Sequence, residues 1–184
     1  MSWPELPRLT RLLLAATLAG LTAGCFEPLY GNRAVTGGSG IGDKMSSVEV
    51  APIVTPNGTR LARIGVDVRN EVIYGLTGGG GAMSPSYRLD IKLSSTNLQV
   101  IVDINTARPD IQNYGIDASY TLIDIASGKT VVKATTFSRV SYNIPGQQQR
   151  FAGDRGLRDA ENRASKVIAE NIRSRLASYF TAGT

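Results

Sequence analysis

Side chains able to do covalent or acid–base chemistry are scarce in this 184-residue chain. It holds no histidine and a single cysteine, Cys25. That removes Ser–His and Cys–His nucleophilic pairs and every histidine-ligated zinc arrangement. Carboxylates remain, and four of them, Asp103, Asp110, Asp117 and Asp124, recur every seven residues. Seven is odd, so along continuous strands they fall on alternate faces instead of converging. They read as solvated strand or turn positions. Asp103-Ile104-Asn105 opens like a calcium-binding loop, but Arg108 and Pro109 stand where ligands or glycine belong, and Tyr114 where the closing glutamate would be. Gly37-Gly38-Ser39-Gly40-Ile41-Gly42 has the composition of a phosphate loop. That chemistry needs a strand before the glycines and a helix opening after them, whereas here a tether precedes and a strand follows. The expectation is a protein that is not an enzyme and that uses no cofactor and no metal.

Cys25 is the exception. Arg8 and Arg11 precede the apolar run Leu12 to Leu21, which is too brief to span a bilayer, since spanning takes about 20 apolar residues. A short positive segment followed by such a run is an export signal. Ala23 and Gly24 then lead directly into the only thiol. The stretch resembles a lipobox, with one departure: Thr22 stands three before the cysteine and Leu21 one further back. The resemblance implies that residues 1–24 are a lipoprotein signal peptide and that Cys25 is lipidated, palmitate included, as the mature N-terminus. One acyl chain holds a protein marginally and several hold it firmly, so this anchor suffices as the membrane attachment. An acylated Cys25 leaves no thiol for a disulfide, and the domain must be held by packing alone.

The 160 residues after the signal are enough for one compact domain. The signal carries Arg8 and Arg11 against Glu5, so the net charge falls from +5 to +4 on its removal. A mildly basic domain suits anionic partners, but no basic cluster with interleaved aromatics appears, and nucleic acid is not an expected partner.

The elements follow from periodicity. Residues 25–45 read as lipidated N-terminus and flexible glycine-rich tether, and 46–184 as a single domain. Val48 to Val54 reads as a strand closing near Pro52. Thr59 is placed to cap a helix whose apolar stripe is Leu61, Ile64, Val68, Val72 and Leu76, ended by Gly78 to Gly81. Tyr87, Leu89, Ile91 and Leu93 alternate with polar residues. The apolar set then shifts to Leu98, Val100, Val102 and Ile104, which predicts a bulge around Ser94 to Asn97. A turn over residues 106–110 leads to a strand marked by Tyr114, Ile116, Ala118, Tyr120 and Leu122. Ser127-Gly128-Lys129 turns into a last strand over residues 130–142. A second helix opens near Asp154, with a stripe from Leu157 to Tyr179; on its other face Glu170 is placed to pair with Arg173, and Glu161 with Arg158 or Ser165. Each helix has one stripe to bury. The predicted fold is α+β: a four-stranded, mostly antiparallel or mixed sheet with two helices packed on one face, in the order β-α-β-β-β-α.

Cys25-Phe26-Glu27-Pro28-Leu29-Tyr30-Gly31, joined to this element order, resembles the start of the mature LPS-assembly lipoprotein LptE family, of alphaproteobacterial type. Phe26 rather than Asp after the cysteine implies carriage to the outer membrane. The resemblance further implies a partner: a β-barrel LPS translocon, LptD-like, that the lipoprotein supports from the periplasm or the barrel lumen, with lipopolysaccharide as a possible ligand. The alternatives are a generic periplasmic accessory lipoprotein of a lipid or efflux transport system and, least supported by the residue inventory, a carboxylate hydrolase. In an up-down-up meander Arg108, Arg139 and Arg150 are expected near one rim, as LPS or anion contacts through forked guanidinium–phosphate bonds.

Overall fold

A computed structural model describes residues 40–182 apart from 83, 104–107 and 144–149. The signal peptide, Cys25 and tether positions 25–39 lie outside the described residues. The elements are α1 (Ile41–Ser46), β1 (Val48–Val50), α2 (Arg60–Thr77), β2 (Tyr87–Asp103), β3 (Arg108–Asp124), β4 (Thr130–Asn143) and α3 (Arg150–Ala182). One four-stranded sheet runs in the order β1-β2-β3-β4, with β1 parallel to β2 and the rest an antiparallel meander. This is the mixed α+β sheet expected, with a third, short helix added.

That helix corrects the reading of 25–45 as tether throughout. Ile41–Ser46 is helical and Met45 is 2% exposed, so the packed part of the chain begins before Ser46. A six-residue helix that follows Gly40 and carries Gly42 has too little periodicity to announce itself; burial of one methionine secures it. The first strand is also shorter than read. It ends at Val50, whose carbonyl is gripped by Arg69 of α2 through Nε (3.1 Å) and Nη2 (3.0 Å).

Alternation puts Leu89 and Ile91 of β2, Tyr114 to Leu122 of β3, and Val132, Val140 and Tyr142 of β4 on the inner face. Against it lie Ile64, Val68, Val72 and Leu76 of α2 and Ala160, Ala164, Ile168, Ile172 and Leu176 of α3. The small alanines let α3 approach closely, and both long helices share this one face. Thr59 caps α2 as predicted, its hydroxyl accepting from the Ala62 N–H at 3.2 Å. Gly78 ends the helix at φ +73°, a left-handed conformation that only glycine takes cheaply.

Two details of the meander differ from the sequence reading. The register shifts lie between Gln99 and Val102, not at 94–97. Parity therefore holds through Asn97: Ser95 and Asn97 continue the inner face, and Leu98 stays outward and 61% exposed. Polar residues are tolerated there because both stay exposed, and Asn97 Nδ2 donates to the Tyr142 hydroxyl at 3.2 Å. In addition, Arg108, Pro109 and Asp110 are not a turn but the start of β3, Arg108 facing Asp103 and Pro109 facing Val102. The last helix likewise opens at Arg150 and not near Asp154.

Candidate functional site

The sheet has a helical layer on one face only, so the side chains of the other face point to solvent. The register sets them in rows across three strands: Asp90–Thr121–Lys133, Lys92–Ser119–Thr135, Ser94–Asp117–Phe137 and Thr96–Gly115–Arg139. Small hydroxyl residues fill the middle, with Lys92 and Lys133 on either side. Two shallow troughs of about 460 and 550 Å³ run over them. Neither lysine ion-pairs with a described residue, whereas Asp90 is held by Arg88 at 3.1 Å. Phe137 is 66% exposed, with the Arg139 guanidinium 5.5 Å from its ring centre.

Arg139 is the one expected anion contact whose side chain is described, and it does not sit at the rim. Its backbone faces Gly115, seven residues along β3 from Arg108, which is about 23 Å at the usual strand rise. Its guanidinium is occupied, with Nη2 on Asp117 Oδ1 at 2.7 Å and Nη1 on the carbonyls of Ile116 (3.2 Å) and Ser138 (3.0 Å). Gly115 makes room for it: a Cβ there would stand 2.8 Å from both Arg139 Cδ and Thr96 Oγ1. The backbones of Arg108 and Arg150 begin β3 and α3, but their side chains lie outside the described residues. The Arg139 backbone thus stands apart from that of Arg108 along the sheet. Sequence reasoning missed Lys92 and Lys133, which parity places on the outer face but only the register places across Ser119 and Thr121.

The spaced aspartates behave as expected where they are described. Asp117 pairs with Arg139 on the outer face. Asp124 accepts from the Ser127 N–H (2.7 Å) and hydroxyl (2.9 Å) at the β3–β4 turn, and these bonds hold its carboxyl below the ordinary value. The Asp103-Ile104-Asn105 stretch runs out of the described residues after Asp103.

Beneath the sheet, at the end where α2 begins, lies a polar cluster. Glu161 of α3 has a side chain only 3% exposed and pairs with Arg63 of α2, and its Oε1 is 3.5 Å from Arg60 Nε. These partners replace Arg158 or Ser165, because α2 packs beside α3 here; Glu170 does meet Arg173, at 3.2 Å. The Tyr114 hydroxyl is buried nearby, with the Ser95 hydroxyl facing it outside good hydrogen-bond geometry. Burial raises its pKa, the Ser95 hydroxyl offsets part of this, and the Glu161 charge adds to it.

Chemically, the outer face offers ammonium groups, hydroxyl donors and one exposed aromatic ring, an arrangement suited to holding an anionic surface. Among the described residues no group of three or more Cys, Asp or Glu is placed to hold a metal, and no helix is long and apolar enough to cross a membrane.

No family model and no curated protein matches the sequence. Solved structures do resemble the fold. A lipoprotein from Caulobacter crescentus CB15 matches at 19% identity with a TM-score of 0.60, over 77% of this chain and 96% of that one. Rare lipoprotein B from Shewanella oneidensis matches at 13% identity with a TM-score of 0.52, over 73% and 96%. The chain thus shares the fold of lipoproteins of the rare lipoprotein B type.

Proposed function

We propose that the chain is an outer-membrane lipoprotein, anchored through Cys25, that supports assembly and function of a β-barrel LPS translocon of the LptD kind. One observation carries this reading: a lipobox-like Cys25 and its Pro28-Leu29-Tyr30-Gly31 run precede a domain with the rare lipoprotein B fold. The role is non-enzymatic. The lipid holds the protein at the membrane, and the domain offers a rigid one-sided sheet to its partner. Lys92 and Lys133, on the open face, draw phosphorylated lipid by charge.

The test is purification of the lipoprotein from detergent-solubilised outer membranes, with mass identification of what accompanies it. The reading expects one large barrel protein in stable stoichiometry. Recovery with an inner-membrane exporter instead would favour the accessory-lipoprotein alternative. The anchor is checked separately by palmitate labelling, which must enter the wild type and be lost in Cys25→Ser. Charge reversal at Lys92 and Lys133 is expected to weaken LPS binding at low salt, where exposed charges count most, and to leave the fold intact.

A further inference from the structure

On their solvent side the two long helices leave an open groove of about 880 Å³. One wall is α2, with Asp67, Glu71 and Tyr74; the other is α3, with Asn162, Ser165 and Lys166. It is separate from the sheet face, which lies across the core.

Three features of this groove are left over by the packing. Glu71 and Lys166 stand on opposite walls, and neither forms an ion pair with the other or with any described residue; Asp67, by contrast, is already taken by Arg63 at 3.0 Å. Ser165 is 1% exposed, yet its hydroxyl has no hydrogen-bond partner, a condition that costs free energy unless something answers it. Tyr74 is 68% exposed on the α2 wall.

From these we infer that the groove binds a zwitterionic group carrying an ammonium and a phosphate, the chemistry of phosphoethanolamine. The ammonium lies on the α2 wall, against the Glu71 carboxylate and the Tyr74 ring, where a cation is attracted both by charge and by the ring face. The phosphate lies on the α3 wall, taking hydrogen bonds from Lys166 and the Asn162 amide. A neutral sugar would leave both charges unanswered, and a simple anion would face Glu71 across the groove. Only a ligand with one charge of each sign satisfies both walls.

The experiment is calorimetric titration of the full chain in a maltoside detergent with three soluble probes: O-phosphoethanolamine, inorganic phosphate and ethanolamine. Phosphoethanolamine is expected to bind at least tenfold more tightly than either half. Glu71→Gln is expected to reduce it to the level of phosphate, and Lys166→Met to the level of ethanolamine. These are surface substitutions, and because each removes a different half, loss of both halves in one variant would report unfolding, which circular dichroism checks; Glu71→Asp and Lys166→Arg, which keep the charges, are then expected to retain binding. A short-chain phosphatidylethanolamine in place of the soluble probe separates the sources. Tighter binding assigns a lipid headgroup, and equal binding a free phosphoamine. Absence of binding, equal affinity for inorganic phosphate, or unchanged affinity in folded variants at both positions overturns the inference.

Discussion

Arg63→Ala is the most informative single substitution, because it separates an ion pair from the burial of one of its members. Glu161 has a side chain 3% exposed, Arg63 one 30% exposed and Arg60 one 56% exposed. Removing Arg63 strands the carboxylate under the sheet with only Arg60 Nε, at 3.5 Å and outside hydrogen-bond geometry. Breaking a buried pair from one side costs about 3–5 kcal/mol; with Arg60 still present and Arg63 partly solvated, about 2–3 kcal/mol is expected here. The converse change, Glu161→Gln, releases two arginines that can reach water, and about 1 kcal/mol is expected. Replacing both, Arg63→Met with Glu161→Leu, removes the buried charge altogether and should recover most of the loss. Equilibrium urea unfolding followed by circular dichroism measures all three. The reasoning fails if Arg63→Ala costs no more than Glu161→Gln, or if the double replacement is the least stable of the set.

Further expectations concern other parts of the fold. Met45→Ala should cost about 2–3 kcal/mol, since it empties a site 2% exposed; a loss below about 0.5 kcal/mol would return α1 to the tether. Gly115→Val should cost about 1–3 kcal/mol by overpacking and should displace the Arg139 guanidinium from Asp117, a change visible as loss of the coupling energy in a double-mutant cycle between those two residues. Burial raises the pKa of Tyr114 and Tyr120 above 10.0. Above that pH the unfolded chain gives up tyrosine protons that the folded one retains, so stability is full below pH 10.0 and falls as pH rises through the folded values. A melting temperature flat across that range would contradict this.

Much of the architecture was legible because burial is one-sided. The alternation of Tyr114 to Leu122 and the stripe from Ile64 to Leu76 each have a single face to hide, and each hides it. What misled was local. Leu98 looked like the start of a new inner set, but it is an exposed leucine. Ser95 and Asn97 look like a bulge because they are polar, yet they continue the inner face, where both stay exposed and Asn97 reaches the Tyr142 hydroxyl. Glu161 was read as part of the charged face of α3. Its burial depends on Arg60 and Arg63, about a hundred residues earlier, and no window on α3 contains them. The same limit hid the outer-face lysines: parity assigns a face, whereas only strand pairing assigns neighbours.

The chain enters its fold through β1, which joins the sheet edge over three residue pairs and is clasped by Arg69 at Val50. Everything after α2 is closed by longer and more local pairings, with β2, β3 and β4 zipped over most of their length and α3 laid along them. Mechanically this is a fuse. Tension arriving along the backbone from Gly40 loads α1 and β1 first, and with only three residue pairs this edge is expected to part before the meander. A tug from the N-terminal side is thus taken up by a short, re-formable peel, while the open face of the sheet and whatever rests against it keep their shape.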